Sequence, residues 1–252
     1  MTFFQADNIS INFGGIRAVD GVSFEAKKGE VFTIIGPNGA GKTTIFNLVS
    51  RIYDPSEGRL VFEGNDITRV PPHRIAALGI ARTFQNIELF EHASLLQNLL
   101  LARHAHKKSG FFSELLFTPA VRRMEVEHRE AVEKVIDFLD LQQYRDNLIV
   151  NLPYGVRKVT ELARALCTDP KLLLLDEPSS GLNVEETEDM AFWIQDIKNL
   201  LGITVLMVEH DMKLVSAVSD RVLALNYGKP LATGTPSEVQ GHPEVIRAYL
   251  GG

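Results

Sequence analysis

One short segment constrains this chain more than any other: Gly36-Pro-Asn38-Gly39-Ala40-Gly41-Lys42-Thr43-Thr44. It fits the pattern G-x-x-x-x-G-K-[ST] and stands between a continuous apolar run at 31–35 and a stretch with helical spacing at 43–50 (Ile45, Leu48, Val49). Glycines let a backbone curl until several N–H groups converge on a phosphate, and the new helix adds the positive end of its dipole. Gly36, Asn38, Gly39, Ala40, Gly41, Lys42, Thr43 and Thr44 are therefore the candidate phosphate contacts. Lys42 is placed to reach the outer phosphates of a nucleotide, and Thr43 to offer its hydroxyl to Mg2+.

A second constellation comes much later, in Lys171-Leu-Leu-Leu-Leu-Asp176-Glu177. Four leucines make a buried strand that carries Asp176 to its end, where ligands of open α/β sheets bind. Asp176 can hold the magnesium through water, and the neighbouring Glu177 can polarise an attacking water.

The order of apolar patterns organises the rest. Residues 3–35 read as strands, and short strands recur at 59–62 and 79–83 around a helix started by Pro71-Pro72. From about 86 to 166 strand signals vanish and apolar residues take i, i+3, i+4 spacing, as in Val132, Val135, Ile136 and Leu139. Strand and helix then alternate through 171–175, 184–201, 203–208, 212–218 and 221–225, which builds a parallel sheet with helices on both faces. The expected organisation is one nucleotide-binding domain: an α/β core at 1–85 and 167–235, a helical subdomain at 86–166, and a helical tail at 236–252. Phe192, Trp193 and Ile197 read as the core side of a helix, any exposed part being available to face a partner. His104, His106 and His128 lack zinc-ligand spacing and read as solvated.

Composition excludes several classes. The chain has 252 residues, 45% hydrophobic and 23% charged, the balance of an ordered globular protein. Lys and Arg total 26 against 32 for Asp and Glu, so no basic excess exists to displace counterions from nucleic acid. The single cysteine, Cys167, excludes an internal disulfide framework and fits a reducing compartment. The apolar runs at 95–102, 171–175 and 203–208 fall short of the roughly 18–20 residues that cross a bilayer. The first ten residues carry no secretory pattern. A cytosolic protein is expected, with any membrane role exercised through a partner.

With their surroundings, these motifs resemble the ATP-binding subunit of ATP-binding cassette transporters, over essentially the whole chain. Gln85, in Arg82-Thr-Phe-Gln85-Asn, resembles the family's glutamine loop. His210, in Val208-Glu-His210-Asp, resembles its switch histidine, and Ser180-Gly-Leu-Asn183 lies where the family has its D-loop. Phe13, before Gly14-Gly15, resembles the aromatic that stacks on adenine. The segments Arg82-Thr-Phe-Gln-Asn, Gly181-Leu-Asn183, Glu209-His-Asp-Met-Lys213 and Ile-Arg-Ala-Tyr-Leu-Gly near the end are similar to the branched-chain and hydrophobic amino-acid uptake group.

The resemblance implies a P-loop NTPase core, a mixed sheet with helices on both faces and an N-terminal antiparallel part, with an inserted all-helical subdomain. It implies ATP and Mg2+ as ligands, with Glu177, His210 and Gln85 catalytic and Thr43, Gln85 and Asp176 around the metal. It further implies a second ATP-binding subunit, identical or related, membrane-spanning permease subunits, and indirectly an extracytoplasmic solute-binding protein. The chain would then work at the cytoplasmic face of the membrane. Two other readings stay open at this point: a soluble cassette ATPase outside transport, and an ATP-binding module with degenerate hydrolysis.

The second alternative is motivated by a departure. Where the family carries Leu-Ser-Gly-Gly-Gln, this chain has Leu152-Pro153-Tyr154-Gly155-Val156. Pro153 supplies neither hydroxyl nor N–H donor. Leu152 and Gly155 remain as candidate contacts through backbone approach and the dipole of the following helix, with Arg157 and Lys158 adding positive charge beside it. Asn183 keeps hydrogen bonding where many members have aspartate. On this reading Pro153→Ser raises ATP turnover, measured as phosphate release at saturating Mg-ATP; an unchanged or lower rate contradicts it.

Overall fold

The structure is a computed structural model and describes residues 2–83, 87–103 and 119–250. Described residues before 86 and after 170 form one compact unit, and those between form another.

The first unit holds two sheets. Strands β1 (Thr2–Phe13), β2 (Ile16–Lys27), β4 (Glu57–Phe62) and β5 (Asn65–Asp66) form an antiparallel sheet in the order β2-β1-β4-β5. Strands β3 (Val31–Ile35), β6 (Ile80–Arg82), β7 (Leu172–Asp176), β8 (Thr204–Val208), β9 (Arg221–Asn226) and β10 (Lys229–Gly234) form a mixed sheet in the order β10-β9-β3-β8-β7-β6. The five adjacent strands from β9 to β6 make four parallel pairs, and only β10 runs antiparallel. Every residue of β3, β7 and β8 is buried, which is why these strands read as unbroken apolar runs instead of alternating ones.

Alternation along β3 sorts its side chains to two faces. Phe32 and Ile34 join a core with Ile45, Phe46, Leu48 and Val49 of helix α1 (Lys42–Val49), and with Phe4, Ile9 and Phe24 of the antiparallel sheet. Ile35 faces the other way, with Val215 of α7 (Met212–Val218), Val239 of α8 (Pro236–Gln240) and Val245 of α9 (Pro243–Leu250). Each such aliphatic or aromatic side chain contributes about 1.5–3 kcal/mol when removed from water. Phe24 stacks on Phe32 at 5.4 Å, and the Arg221 guanidinium covers the other part of that layer, 5.3 Å from the Phe32 ring, while pairing with Glu30.

One expected start is found, and two features differ from expectation. Pro71-Pro72 starts a helix, α2 (Pro72–Ile75), of a single turn; a 3-10 turn, Ala76–Leu78, follows and Gly79 ends it at φ +94°. Strand β10 was hidden by Pro230, a residue a sheet tolerates at its edge, where β10 lies. On α6 (Val184–Asn199), Met190, Ile194 and Ile197 form the buried stripe, whereas Phe192 lies off it and is 69% exposed.

The second unit is helical, built on α3 (Leu95–Ala102), α4 (Pro119–Phe138) and α5 (Tyr154–Leu166). Leu95, Leu99, Val132, Ile136, Leu162 and Leu166 are buried in it. Ser94 and Gln97 form a reciprocal capping box at the start of α3. Asn98, fully buried, bonds the Phe90 N–H at 2.8 Å and the Phe90 and Ser94 carbonyls at 3.1 and 3.0 Å. Residues 167–170 also belong to this unit: Arg103 donates to the Cys167 carbonyl at 2.9 Å and pairs with Asp169 at 2.5 Å. His104, His106 and the rest of 104–118 lie outside the described residues.

Burial pushes the Cys167 thiol up to about 12 from its ordinary 9.0. At pH 8 its thiolate fraction is about a thousandfold below that of a free thiol. A disulfide reagent that titrates thiols should therefore leave the native protein unreacted and modify one thiol per chain in denaturant; fast reaction of the native protein contradicts the burial.

Candidate phosphate-binding and hydrolysis site

The loop after β3 is shaped by two close approaches. Gly36 takes φ +156°, and a Cβ there would fall on the Leu225 carbonyl oxygen. Gly41 takes φ +98°, and a Cβ would stand 2.6 Å from the Ala18 carbonyl oxygen. Neither position accepts a side chain. Between them the Ala40 N–H donates to the Pro37 carbonyl at 3.1 Å, and the Ile45 N–H donates to the Gly41 carbonyl at 3.0 Å as α1 begins.

That helix starts with no side-chain cap and no acidic residue in its first turn. Its N-terminal amides keep their partial positive charge for an anion. Thr43 is exposed and Thr44 half-buried there. Lys42 is buried, and its Nζ donates to the Gly36 carbonyl at 2.7 Å and the Pro37 carbonyl at 3.1 Å. Burial lowers its pKa, while the charges of Glu177, Asp176 and Glu209 act to raise it. A cation lying against its own loop, near three carboxylates, is placed to turn toward incoming phosphate oxygens.

Asp176 ends β7 and is fully enclosed. Its Oδ2 accepts from Arg82 Nη2 at 2.7 Å, and its N–H meets Thr83 Oγ1 at 3.3 Å. The Arg82 side chain is 8% exposed. Its Nη1 reaches Asn47 Oδ1 at 2.7 Å and Ser50 Oγ at 2.9 Å beside α1, and its guanidinium lies 5.6 Å from the Phe46 ring. Asp176 Oδ1 is buried and has no hydrogen-bond partner among the described residues. An ionised oxygen without a donor is costly unless a cation satisfies it. A hydroxyl and a carboxylate oxygen are also the donor type that Mg2+ prefers, so the residues present fit that ion.

Glu177 follows in a left-handed conformation, φ +49°, its N–H held by the Val208 carbonyl at 2.9 Å. Its Oε2 stands 3.9 Å from Nδ1 of His210, whose side chain is 56% exposed at the end of β8. The two residues come from neighbouring parallel strands at their carboxyl ends, the edge where open α/β sheets bind ligands.

Phe13 closes β1 before Gly14-Gly15. It is 42% exposed and meets Tyr53 edge-on at 5.1 Å between centroids. Asn183 caps α6: its side chain accepts from the Glu186 N–H at 3.0 Å, and Glu186 accepts from the Asn183 N–H at 2.9 Å. Gln85 lies outside the described residues.

Leu152 and Gly155 belong to the helical unit. The Leu152 side chain is buried and its carbonyl accepts from Arg157 Nε at 2.8 Å, so any ligand contact there is left to neighbouring backbone. Arg157 also donates to the Val150 carbonyl at 2.8 Å, and Lys158 is buried. Arg157 thus sets its positive charge beside the loop, as expected, whereas Lys158 is buried. Arg82, Tyr53 and Glu209 were missed in the sequence. Only Arg82 left a signal: it is a basic residue at a strand end, three before Gln85.

A buried strand, a glycine loop and an uncapped helix bearing Lys42, beside a parallel strand ending in two carboxylates, define the class of P-loop nucleotide hydrolases. Comparison with known proteins narrows this. The ABC transporter family profile matches residues 19–180, and the Branched-chain amino acid ATP-binding cassette transporter profile matches residues 229–252. The chain is 41% identical to the High-affinity branched-chain amino acid transport ATP-binding protein BraF of Pseudomonas aeruginosa, over 98% of this chain and 97% of that protein. It is 40% identical to the corresponding LivG of Escherichia coli K12, over 98% and 97%. The crystal structure of the ADP conformation of MJ1267, an ATP-binding cassette of an ABC transporter, superposes with a TM-score of 0.87 at 32% identity, covering 100% of both chains. This chain belongs to the ABC transporter family of ATP-binding subunits, which are ATPases.

Removing one partner of a buried ion pair leaves the other charge uncompensated. Arg82→Met should destabilise the nucleotide-free protein by about 3–5 kcal/mol. Arg82→Met combined with Asp176→Asn should cost less than Arg82→Met alone. Denaturant unfolding of the three proteins measures both differences.

Proposed function

We propose that this chain is the ATP-hydrolysing subunit of a membrane importer for branched-chain or other hydrophobic amino acids or related small molecules. One observation carries the hydrolytic reading. Asp176, Glu177 and His210 stand at the carboxyl ends of adjacent strands of the sheet whose β3 leads into the Lys42 loop.

In this reading the amides of residues 39–44 and the Lys42 ammonium hold the β- and γ-phosphates, and Phe13 stacks on the adenine. Mg2+, held by Thr43, Asp176 and Gln85, would supply charge neutralisation at the phosphate oxygens. Glu177 orients a water and accepts its proton as the γ-phosphate is attacked. His210 hydrogen-bonds the γ-phosphate and keeps the Glu177 side in register. Leu152 and Gly155, on the 152–156 loop of a second ATP-binding subunit, face that phosphate from across a dimer, with Asn183 near the junction. ATP binding closes the pair and hydrolysis reopens it.

Transport is supported by the relatives, named as transport ATP-binding proteins, and they favour neither alternative raised above. Among the described residues no helix is long and apolar enough to cross a membrane. Permease subunits would therefore hold the chain at the cytoplasmic face, with a solute-binding protein acting on the far side. The segment 86–90 and the helical subdomain would grip the permease.

Glu177→Gln tests the proposal. ATP binding should persist while turnover falls about a hundredfold or more. The variant should accumulate as a dimer in Mg-ATP, seen by light scattering after gel filtration. Near-normal turnover removes Glu177 from its role.

A further inference from the structure

We infer that Glu209 is a positioning residue that locks the Glu177 loop to the His210 loop, setting the geometry of hydrolysis without touching the nucleotide. The inference rests on the roles proposed for Glu177 and His210.

Glu209 is 0% exposed, and both carboxylate oxygens are in use. Oε2 accepts from the Ser179 N–H at 3.1 Å and the Ser179 hydroxyl at 2.9 Å. Oε1 accepts from the His210 N–H at 2.7 Å and the Asp211 N–H at 3.1 Å. One oxygen therefore serves the loop that leaves β7 and the other serves the loop that leaves β8. Ser179 stands two residues after Glu177, and His210 directly follows Glu209.

Four donors converge on this one buried carboxyl group at 2.7–3.1 Å, which ties the two loops together through a single side chain. Such a group is rarely retained for stability alone, since an apolar side chain of similar volume is often neutral or better. What the carboxylate adds is position. Beyond strand pairing, the one backbone bond seen between the two loops is from the Glu177 N–H to the Val208 carbonyl. Glu209 supplies the cross-link above it, and its Oε1 also stands 3.4 Å from His210 Nδ1, so it holds both the backbone and the ring of His210 while Glu177 Oε2 lies 3.9 Å from that nitrogen. Glu177 is in a left-handed conformation, a backbone state that needs such external support.

Glu209→Gln keeps the volume but presents an NH2 group to one pair of N–H donors, so one loop is released. The expected result is selective. kcat for ATP falls about 10- to 100-fold, as for an ångström-scale misplacement of reacting groups. The Kd for a fluorescent ATP analogue stays within twofold, because the glycine loop and the Lys42 hydrogen bonds onto it do not involve Glu209, whose charge is the smallest of the three acting on Lys42. Amide exchange in the nucleotide-free protein speeds up at Ser179, His210 or Asp211, while β8 stays protected. Ser179→Ala, which removes one of the four donors, should show the same split at severalfold size, and it carries the test if Glu209→Gln fails to fold. A kcat within twofold of the parent protein, or a Kd that rises by the factor by which kcat falls, overturns the inference. Glu177→Gln measured in parallel separates the two ideas. If that variant turns over normally, the catalytic reading itself has failed; if it is inactive while Glu209→Gln is normal, only the positioning role has.

Discussion

A helix left uncapped at its first turn is the constraint around which the larger unit is arranged. Among the described residues, no side chain caps α1 and no acidic residue stands in its first turn, and it follows β3, every residue of which is buried. The site works because Gly36 and Gly41 are pinned against the Leu225 and Ala18 carbonyls, which holds the loop open at a fixed height. Lys42 turns its ammonium group onto the Gly36 and Pro37 carbonyls of that loop.

The surrounding charges follow from the same arrangement. Three carboxylates, Asp176, Glu177 and Glu209, gather close enough to Lys42 to act on it. Their mutual repulsion in a poorly hydrated site would be severe if each were free. The fold assigns each a different constraint: Asp176 has one oxygen on Arg82, Glu209 has two loops on its two oxygens, and Glu177 faces His210. The chemistry proposed for the site thus depends on how unequally three similar acids are held.

Much of this was legible in the chain. The motif at 36–44, the leucine run into Asp176-Glu177 and the unbroken apolar stretches at 31–35 and 203–208 carry local signals strong enough to place strand ends and loops. The loop at 152–156 could be located, but not the burial of Lys158, because the surroundings of a long basic side chain are decided by packing. Arg82 and Glu209 were opaque for a related reason. Their partners, Asp176 and Ser179, lie far away in sequence and meet them only through the pairing of β6 with β7 and β7 with β8. Phe192 illustrates the converse: an aromatic residue within a helix beside true core positions has no periodic excuse for being buried, and it is not.

Strand β3 has one more implication. Thr33 pairs with Met207 on one side and Val222 on the other, and neighbouring side chains alternate between two separate apolar layers. A slip by a single residue would send each layer the other's contents, with Phe32 thrust among small valines and Thr33 among phenylalanines. No intermediate setting exists. The glycine cradle therefore has a height that is digital, not adjustable, and any mechanical stroke the subunit delivers must be generated by parts hinged elsewhere.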